Sequence, residues 1–311
     1  MRAGVVAGAL SLTMTCVATV PAATDAATQG TTPIIRVGDH TAEVGQRVLV
    51  AGKAPGAAGR TVTLQHSVDG AGWTTLAQGV IGSDDRFSFR TAISRSGVLR
   101  ASIGLPADGS ASYAEAGGAT TNEATVAVRR DVRVAHRRLQ VTVGRATRVA
   151  GRVNPGTAGL PVKLQIRTGG RWRTLDRGTT AGGGVYELRN RVGTALSARA
   201  RVVTGSADGL DGGDQRVGRL NVYRYAYVSW YGPGLYGGHL GCGGTLKPGT
   251  LGVANKSLPC GAKVTLRHNG RSVRVPVIDR GPYVAGREYD LTQATAQRLG
   301  FAGHGSMLVT R

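Results

Sequence analysis

Ser272-Val273-Arg274-Val275-Pro276-Val277-Ile278-Asp279-Arg280-Gly281-Pro282-Tyr283 alternates polar and apolar residues, then breaks into a tight turn that opens with a carboxylate. Alternation at a period of two marks a strand with one buried face, and the Gly-Pro pair ends it. Just upstream, His268-Asn269-Gly270-Arg271 supplies an Asn-Gly hairpin turn. Ala262 to Arg267 alternates as the partner strand. Further out, Val228-Ser229-Trp230-Tyr231-Gly232 reads as a first strand, followed by a Gly-rich loop to Gly244. Downstream, Asp290 is expected to cap one helix. Gln293 stands three residues on, Leu291, Ala294 and Leu299 form an apolar face, and Gly300 ends it. Met307-Leu308-Val309 reads as a closing strand. Tyr223, Tyr225, Tyr227, Trp230, Tyr231 and Tyr236 crowd into the start of this region, although aromatics make up only 5% of the chain. A separate domain is expected over 226–311.

The rest of the chain repeats itself. Ala51-Gly52-Lys53-Ala54-Pro55-Gly56 is echoed by Ala150-Gly151-Arg152-Val153-Asn154-Pro155-Gly156, and Val62-Thr63-Leu64-Gln65 by Val162-Lys163-Leu164-Gln165. Gly72-Trp73-Thr74-Thr75-Leu76 is echoed by Arg171-Trp172-Arg173-Thr174-Leu175. Two copies of one module are expected, over 33–128 and 136–222. Short alternating strands and recurrent Gly and Pro turns point to immunoglobulin-like β-sandwiches. Trp73 and Trp172 read most simply as core residues, with sugar binding as the sharper alternative. Ala107 to Asn122 and Gly205 to Gly218 read as long exposed loops, and the basic joint Arg129 to Arg138 as a solvated linker. The fold class is therefore all-β: two sandwich repeats followed by the C-terminal domain.

Net charge is +21, with only five lysines, so arginine carries it. Arginine-rich codon usage explains this blandly; anionic wall polymers, peptidoglycan carboxylates or nucleic acid are the functional readings. Nucleic acid is the weakest, because there is no basic helix and no aromatic-basic motif. Arg2, the apolar run Val5 to Val20, and the small residues Pro21 to Ala27 have the layout of a secretory signal peptide over 1–27. The run is short for a membrane span, so no stable span is expected after cleavage. Cys16 raises a lipoprotein alternative, but Leu12-Thr13-Met14-Thr15 before it makes a poor lipidation box. The remaining cysteines, Cys242 and Cys260, read as one disulfide in an exported protein. No Cys or His stands at metal spacing, and no metal or cofactor is expected.

Trp230-Tyr231-Gly232, Leu258-Pro259-Cys260-Gly261, Asn269-Gly270-Arg271-Ser272-Val273, Ile278-Asp279-Arg280-Gly281-Pro282 and Gly286-Arg287-Glu288-Tyr289-Asp290-Leu291 occur in order across about 85 residues. Together they resemble the signatures of the rare lipoprotein A (RlpA) family. The resemblance implies a six-stranded double-psi β-barrel, shared with expansins, that cleaves or binds the glycan strands of peptidoglycan. It implies that Asp279 is the catalytic acid. A lytic transglycosylase needs only one acid, because a hydroxyl of the substrate itself attacks the anomeric carbon; ordinary glycosidases need two carboxylates. The competing reading of Asp279 is a turn aspartate bonding its own backbone.

Two positions depart from the family. Asn255 stands where many members carry a histidine, and Gly244 where many carry a glutamate. Asn255 can hydrogen-bond a sugar hydroxyl but cannot shuttle a proton. Trp230, Tyr231 and Tyr283 are candidate sugar-stacking residues, with Trp230 equally readable as core. Arg280 and His239 complete the candidate substrate contacts, His239 reading equally as a solvated loop residue. A peptidoglycan lytic transglycosylase is the leading expectation, and a non-catalytic, expansin-like wall-binding protein the alternative.

Overall fold

The computed structural model describes residues 32–68, 70, 72–106 and 118–311. The expected signal peptide with Cys16, and positions 107–117 of the first Gly-rich stretch, lie outside the described residues. The first repeat comprises β1 (Ile34–Val37), β2 (Thr41–Glu43), β3 (Arg47–Lys53), β4 (Arg60–Ser67), β5 (Thr74–Val80), β6 (Arg86–Ala92), β7 (Gly97–Pro106), β8 (Ala119–Thr120) and β9 (Ala124–Arg129). The second comprises β10 (Asp131–Arg138), β11 (Gln140–Thr142), β12 (Ala146–Asn154), β13 (Pro161–Thr168), β14 (Arg171–Thr179), β15 (Val185–Arg191), β16 (Leu196–Thr204) and the long β17 (Asp214–Tyr231).

Their pairings correspond, except that β8, which pairs with β7, has no counterpart in the second repeat. One sheet runs β1-β3-β6 in the first repeat and β10-β12-β15 in the second. The other runs β2-β9-β7-β4-β5, matched by β11-β17-β16-β13-β14. Val62 and Leu64 point into the first core, and Val162 and Leu164 into the second, as the alternation requires. Even the irregularity repeats: a register shift falls between Leu64 and Gln65 and again between Leu164 and Gln165.

The tryptophans correct the sequence reading. Neither Trp73 nor Trp172 belongs to a core cluster; both are half-buried. The Arg100 guanidinium lies 3.8 Å from the Trp73 ring centroid and that of Arg201 4.3 Å from Trp172. Each arginine also donates through Nε to the bulge glutamine, Gln65 or Gln165, at 2.9 Å. Cation–π stacking on the outer face replaces core burial.

The joint between repeats is no solvated linker. Arg130 is 3% exposed, and its guanidinium donates to the Pro155 and Ala207 carbonyls and pairs with Asp208. Nor is Gly205 to Gly218 a free loop. Leu210 enters the core of the first repeat, Ser96 N donates to the Gly209 carbonyl, Asp211 N donates to the Val128 carbonyl, and β17 has begun by Asp214. A buried leucine and paired main-chain groups dock the segment.

The C-terminal domain adds β18 (Val253–Ala254), β19 (Lys263–His268), β20 (Arg271–Asp279), β21 (Tyr289–Thr292), α1 (Gln293–Leu299) and β22 (Gly305–Val309). The Asn-Gly hairpin joins β19 to β20, with Asn269 at φ 45 and Gly270 at φ 81. Pairings run from β17 through β21, β18, β20, β19 and β22, and β22 returns to β17. Val228, Val253, Val264, Leu266, Val275, Val277, Leu291 and Val309 fill the interior.

The helix starts later than the capping pattern suggests. Thr292 is the N-cap, its side chain accepting from Thr295 N, while Asp290 lies within β21. The C-cap is as expected: Gly300 adopts φ 61.

Candidate functional site

Asp279 ends β20 and Asp290 lies in β21, with β18 between them. Ala254 is in register with both. Asp290 is in turn in register with Ser229 on β17. Asp279, Ala254, Asp290 and Ser229 therefore form one row across four strands. In-register residues of paired strands project to the same face, so the two carboxylates share a side of the wall about two strand spacings apart, roughly 10 Å between Cα atoms.

Main-chain groups position Asp279. Its Oδ1 accepts from Gly241 N at 2.7 Å and from Arg280 N at 2.8 Å. The Gly241 contact needs a bare backbone, since a Cβ there would stand 3.0 Å from Asp279 Oδ1 and 2.9 Å from Arg280 Cγ. The loop carrying Gly241 is fixed twice more. Cys242 N donates to the Ile278 carbonyl, and Cys242 is bonded to Cys260 across an 18-residue separation. The expected disulfide is thus present and closes the loop against Asp279.

Asp290 accepts from Ser229 Oγ at 2.8 Å, and Arg287 Nη1 donates to the same Ser229 oxygen at 3.1 Å. Burial raises the Asp290 pKa above its ordinary value. The Ser229 hydrogen bond and the Arg287 charge oppose that rise, and the Asp279 charge adds to it. Tyr231 joins the two acids. Its hydroxyl is buried and makes no hydrogen bond of ordinary geometry among the described residues. Burial first, then the charge and close approach of Asp279, then Asp290, push the phenol pKa upward.

The other expected site residues divide. Arg280 turns away from Asp279. Its guanidinium donates to the Asn255 and Leu258 carbonyls and to Cys260 Sγ, bracing the strand entry. Asn255 is 4% exposed. Its Oδ1 accepts from Ser257 N and Leu258 N, and its Nδ2 donates to the Glu288 carbonyl. Both ends of the amide are thus engaged within the fold, which corrects its expected contact with a sugar hydroxyl. Gly244 is exposed at φ 85. Tyr283 is 81% exposed, one residue beyond the cis Gly281–Pro282 bond. Trp230 packs against the domain core. His239 is exposed in the first loop, opposite Thr245.

Sequence reasoning missed Asp290 as a site residue because it read it as a helix cap, and missed Gly241 among many loop glycines. The motif Gly286-Arg287-Glu288-Tyr289-Asp290-Leu291 held the first signal: a charged pair flanking a buried tyrosine in a strand.

Residues 225–310 match the family model described as lytic transglycolase. The probable endolytic peptidoglycan transglycosylase RlpA of Aquifex aeolicus is 37% identical over 95 residues, covering 30% of this chain and 42% of that protein. The endolytic peptidoglycan transglycosylase RlpA of Campylobacter jejuni is 40% identical over 81 residues, covering 25% of this chain and 30% of that protein. The RlpA of Pseudomonas aeruginosa PAO1 is 40% identical over 84 residues, covering 26% and 25%. The matched stretch spans less than half of each relative's length. Residues 225–310 are therefore the part of the chain that is similar to the RlpA-like double-psi β-barrel family, the resemblance its ordered motifs carry.

Proposed function

We propose that the chain is an exported cell-wall protein that cleaves the glycan strands of peptidoglycan as a lytic transglycosylase, with Asp279 as the general acid. The supporting observation is the clustering of Asp279, Tyr231 and Asp290 beside a loop closed by the disulfide. Asp279 delivers a proton to the glycosidic oxygen as the bond to the anomeric carbon breaks. The muramyl C6 hydroxyl of the same sugar then closes on that carbon and gives its proton to the Asp279 carboxylate, which restores the acid, so no protein nucleophile is required. Oδ1, held by two N–H groups, orients the carboxyl. Tyr283, exposed four residues after the acid in the chain, offers a stacking face to a sugar ring. The two repeats serve as immunoglobulin-like spacers, and the six strands of the C-terminal domain as its barrel. Among the described residues no helix is long and apolar enough to cross a membrane.

Two positions favour the non-catalytic, expansin-like reading: the family histidine is replaced by the fully engaged Asn255, and the family glutamate by Gly244. Mass spectrometry of material released from purified sacculi separates the readings. Anhydro-muropeptides released by the wild type and lost with Asp279→Asn support cleavage. Retention on sacculi with no soluble product at any pH rejects it and leaves binding.

A further inference from the structure

Three arginines from three neighbouring strands of the second repeat stand side by side. Arg167 on β13 is in register with Arg199 on β16, and Arg199 with Arg219 on β17. Trp172 on β14 is in register with Arg167 at the end of the row. Two residues along, Arg201 faces Arg216. The strand spacing places the three arginines of the row within about 10 Å of one another. Arg167, Trp172, Arg199, Arg216 and Arg219 line one cleft.

The charge is poorly neutralised. Within this group and among the described residues, only Arg201 has a carboxylate in ion-pair range, Asp214 at 4.0 Å. Arg167 Nε donates to the Gly170 carbonyl and Arg219 Nη1 to Ser197 Oγ, both uncharged partners. The field reaches into the C-terminal domain. Burial, then the charges of Arg219, Arg311 and Arg199, lower the pKa of Arg274.

Like charges directly opposite on adjacent strands destabilise a sheet. The first repeat shows that the fold does not need them. It shares the strand order, the Leu-Gln bulge and the Gln–Arg–Trp stack, yet its corresponding row is Ser67, Val98 and Thr125. The arginines are thus an addition to a scaffold that stands without them, and an anionic ligand is what offsets their repulsion.

We propose that this cleft binds a phosphodiester-linked anionic wall polymer, with phosphates on Arg167, Arg199 and Arg219 and sugar or polyol units against Trp172. Guanidinium groups fork onto phosphate oxygens, and spaced phosphates answer spaced arginines. A nucleic acid fits less well. Trp172 is a lone aromatic, half-covered by Arg201, rather than a series of stacking platforms. The face is a sheet with no helix to enter a groove. The site lies outside the carboxylate cluster, so it stands whether or not the chain cleaves glycan.

The test measures binding of the protein to labelled poly(glycerol phosphate), with a single-stranded DNA of equal charge as comparison. One variant gives the second repeat the residues of the first: Arg167→Ser, Arg199→Val and Arg219→Thr together. A control removes three exposed arginines of the first repeat: Arg36→Ser, Arg47→Ser and Arg90→Ser. We expect the row variant to lose at least tenfold in affinity for poly(glycerol phosphate), with a melting temperature equal to or above that of wild type, and the control to lose less than threefold. Should the triple variant fold poorly, Arg199→Val alone is expected to lose several-fold. Equal losses in row variant and control, no loss in the row variant, or a loss confined to DNA binding each overturn the proposal.

Discussion

Asp279 and Asp290, on strands that do not pair with each other, are each in register with Ala254, so a two-residue strand sets the separation of two carboxylates. Local sequence pattern does not bring them together; the parallel pairing of β18 with β20 and the antiparallel pairing of β18 with β21 do.

Asp279→Asn keeps the shape of the side chain and removes the acid. Product release from sacculi is expected to fall by about 10²- to 10⁴-fold, the range for loss of one general acid, while retention on insoluble peptidoglycan is unchanged. Equal loss of both would assign Asp279 to binding alone.

Asp290 gives a pH signature. Its pKa is raised in the folded state, chiefly by burial, from an ordinary value of 3.8. Above that value the folded protein holds more protons than the unfolded chain, so stability is lost as pH rises through the folded pKa. Asp290→Asn cannot ionise. Its melting temperature relative to wild type is therefore expected to rise as pH increases from below 3.8 through the raised folded pKa. Parallel melting curves across that window would contradict the burial argument.

Gly241→Ala tests the contact that positions the acid. The added methyl meets Asp279 Oδ1 and Arg280 Cγ at about 3 Å, so the loop has to move back and the Gly241 N–H bond lengthens. We expect a stability loss of about 1–3 kcal/mol and a drop in activity or sacculus binding larger than that of Gly249→Ala, where an added Cβ meets nothing within 4 Å. A variant with wild-type activity would show that the Gly241 hydrogen bond is dispensable.

Reduction of Cys242–Cys260 opens a loop of 18 residues, a loss of roughly 3 kcal/mol on chain-entropy grounds. A lower melting temperature in dithiothreitol is expected in wild type but absent in the Cys242→Ser, Cys260→Ser double variant.

Much of this was open to reading from sequence. The Asn-Gly hairpin and the alternating strands of the C-terminal domain rest on local rules, and each is found. The errors arose where long-range pairing overrides them. Asp290 and Gln293 have capping-box spacing, but Ser229 on a distant strand recruits Asp290, and Thr292 caps the helix. Trp73 and Trp172 look like core residues because tryptophan is large and apolar; an arginine two strands away covers each ring instead. Arg130 sits in a run of charges, yet carbonyls and an aspartate from 25 to 78 positions on enclose it. Arg167, Arg199 and Arg219 are unremarked arginines in a chain full of them until the sheet aligns them.

β17 is a single strand of 18 residues that begins in the second repeat, pairing with β16, and finishes in the C-terminal domain, pairing with β22 and β21. Its two ends lie about 60 Å apart along the chain if fully extended. Two domains that share one backbone ribbon have no swivel between them. Any pull transmitted through the repeats would arrive at the carboxylate row as tension along a beam, with no slack to take up, and the reach of the C-terminal domain is set by the stiffness of that beam.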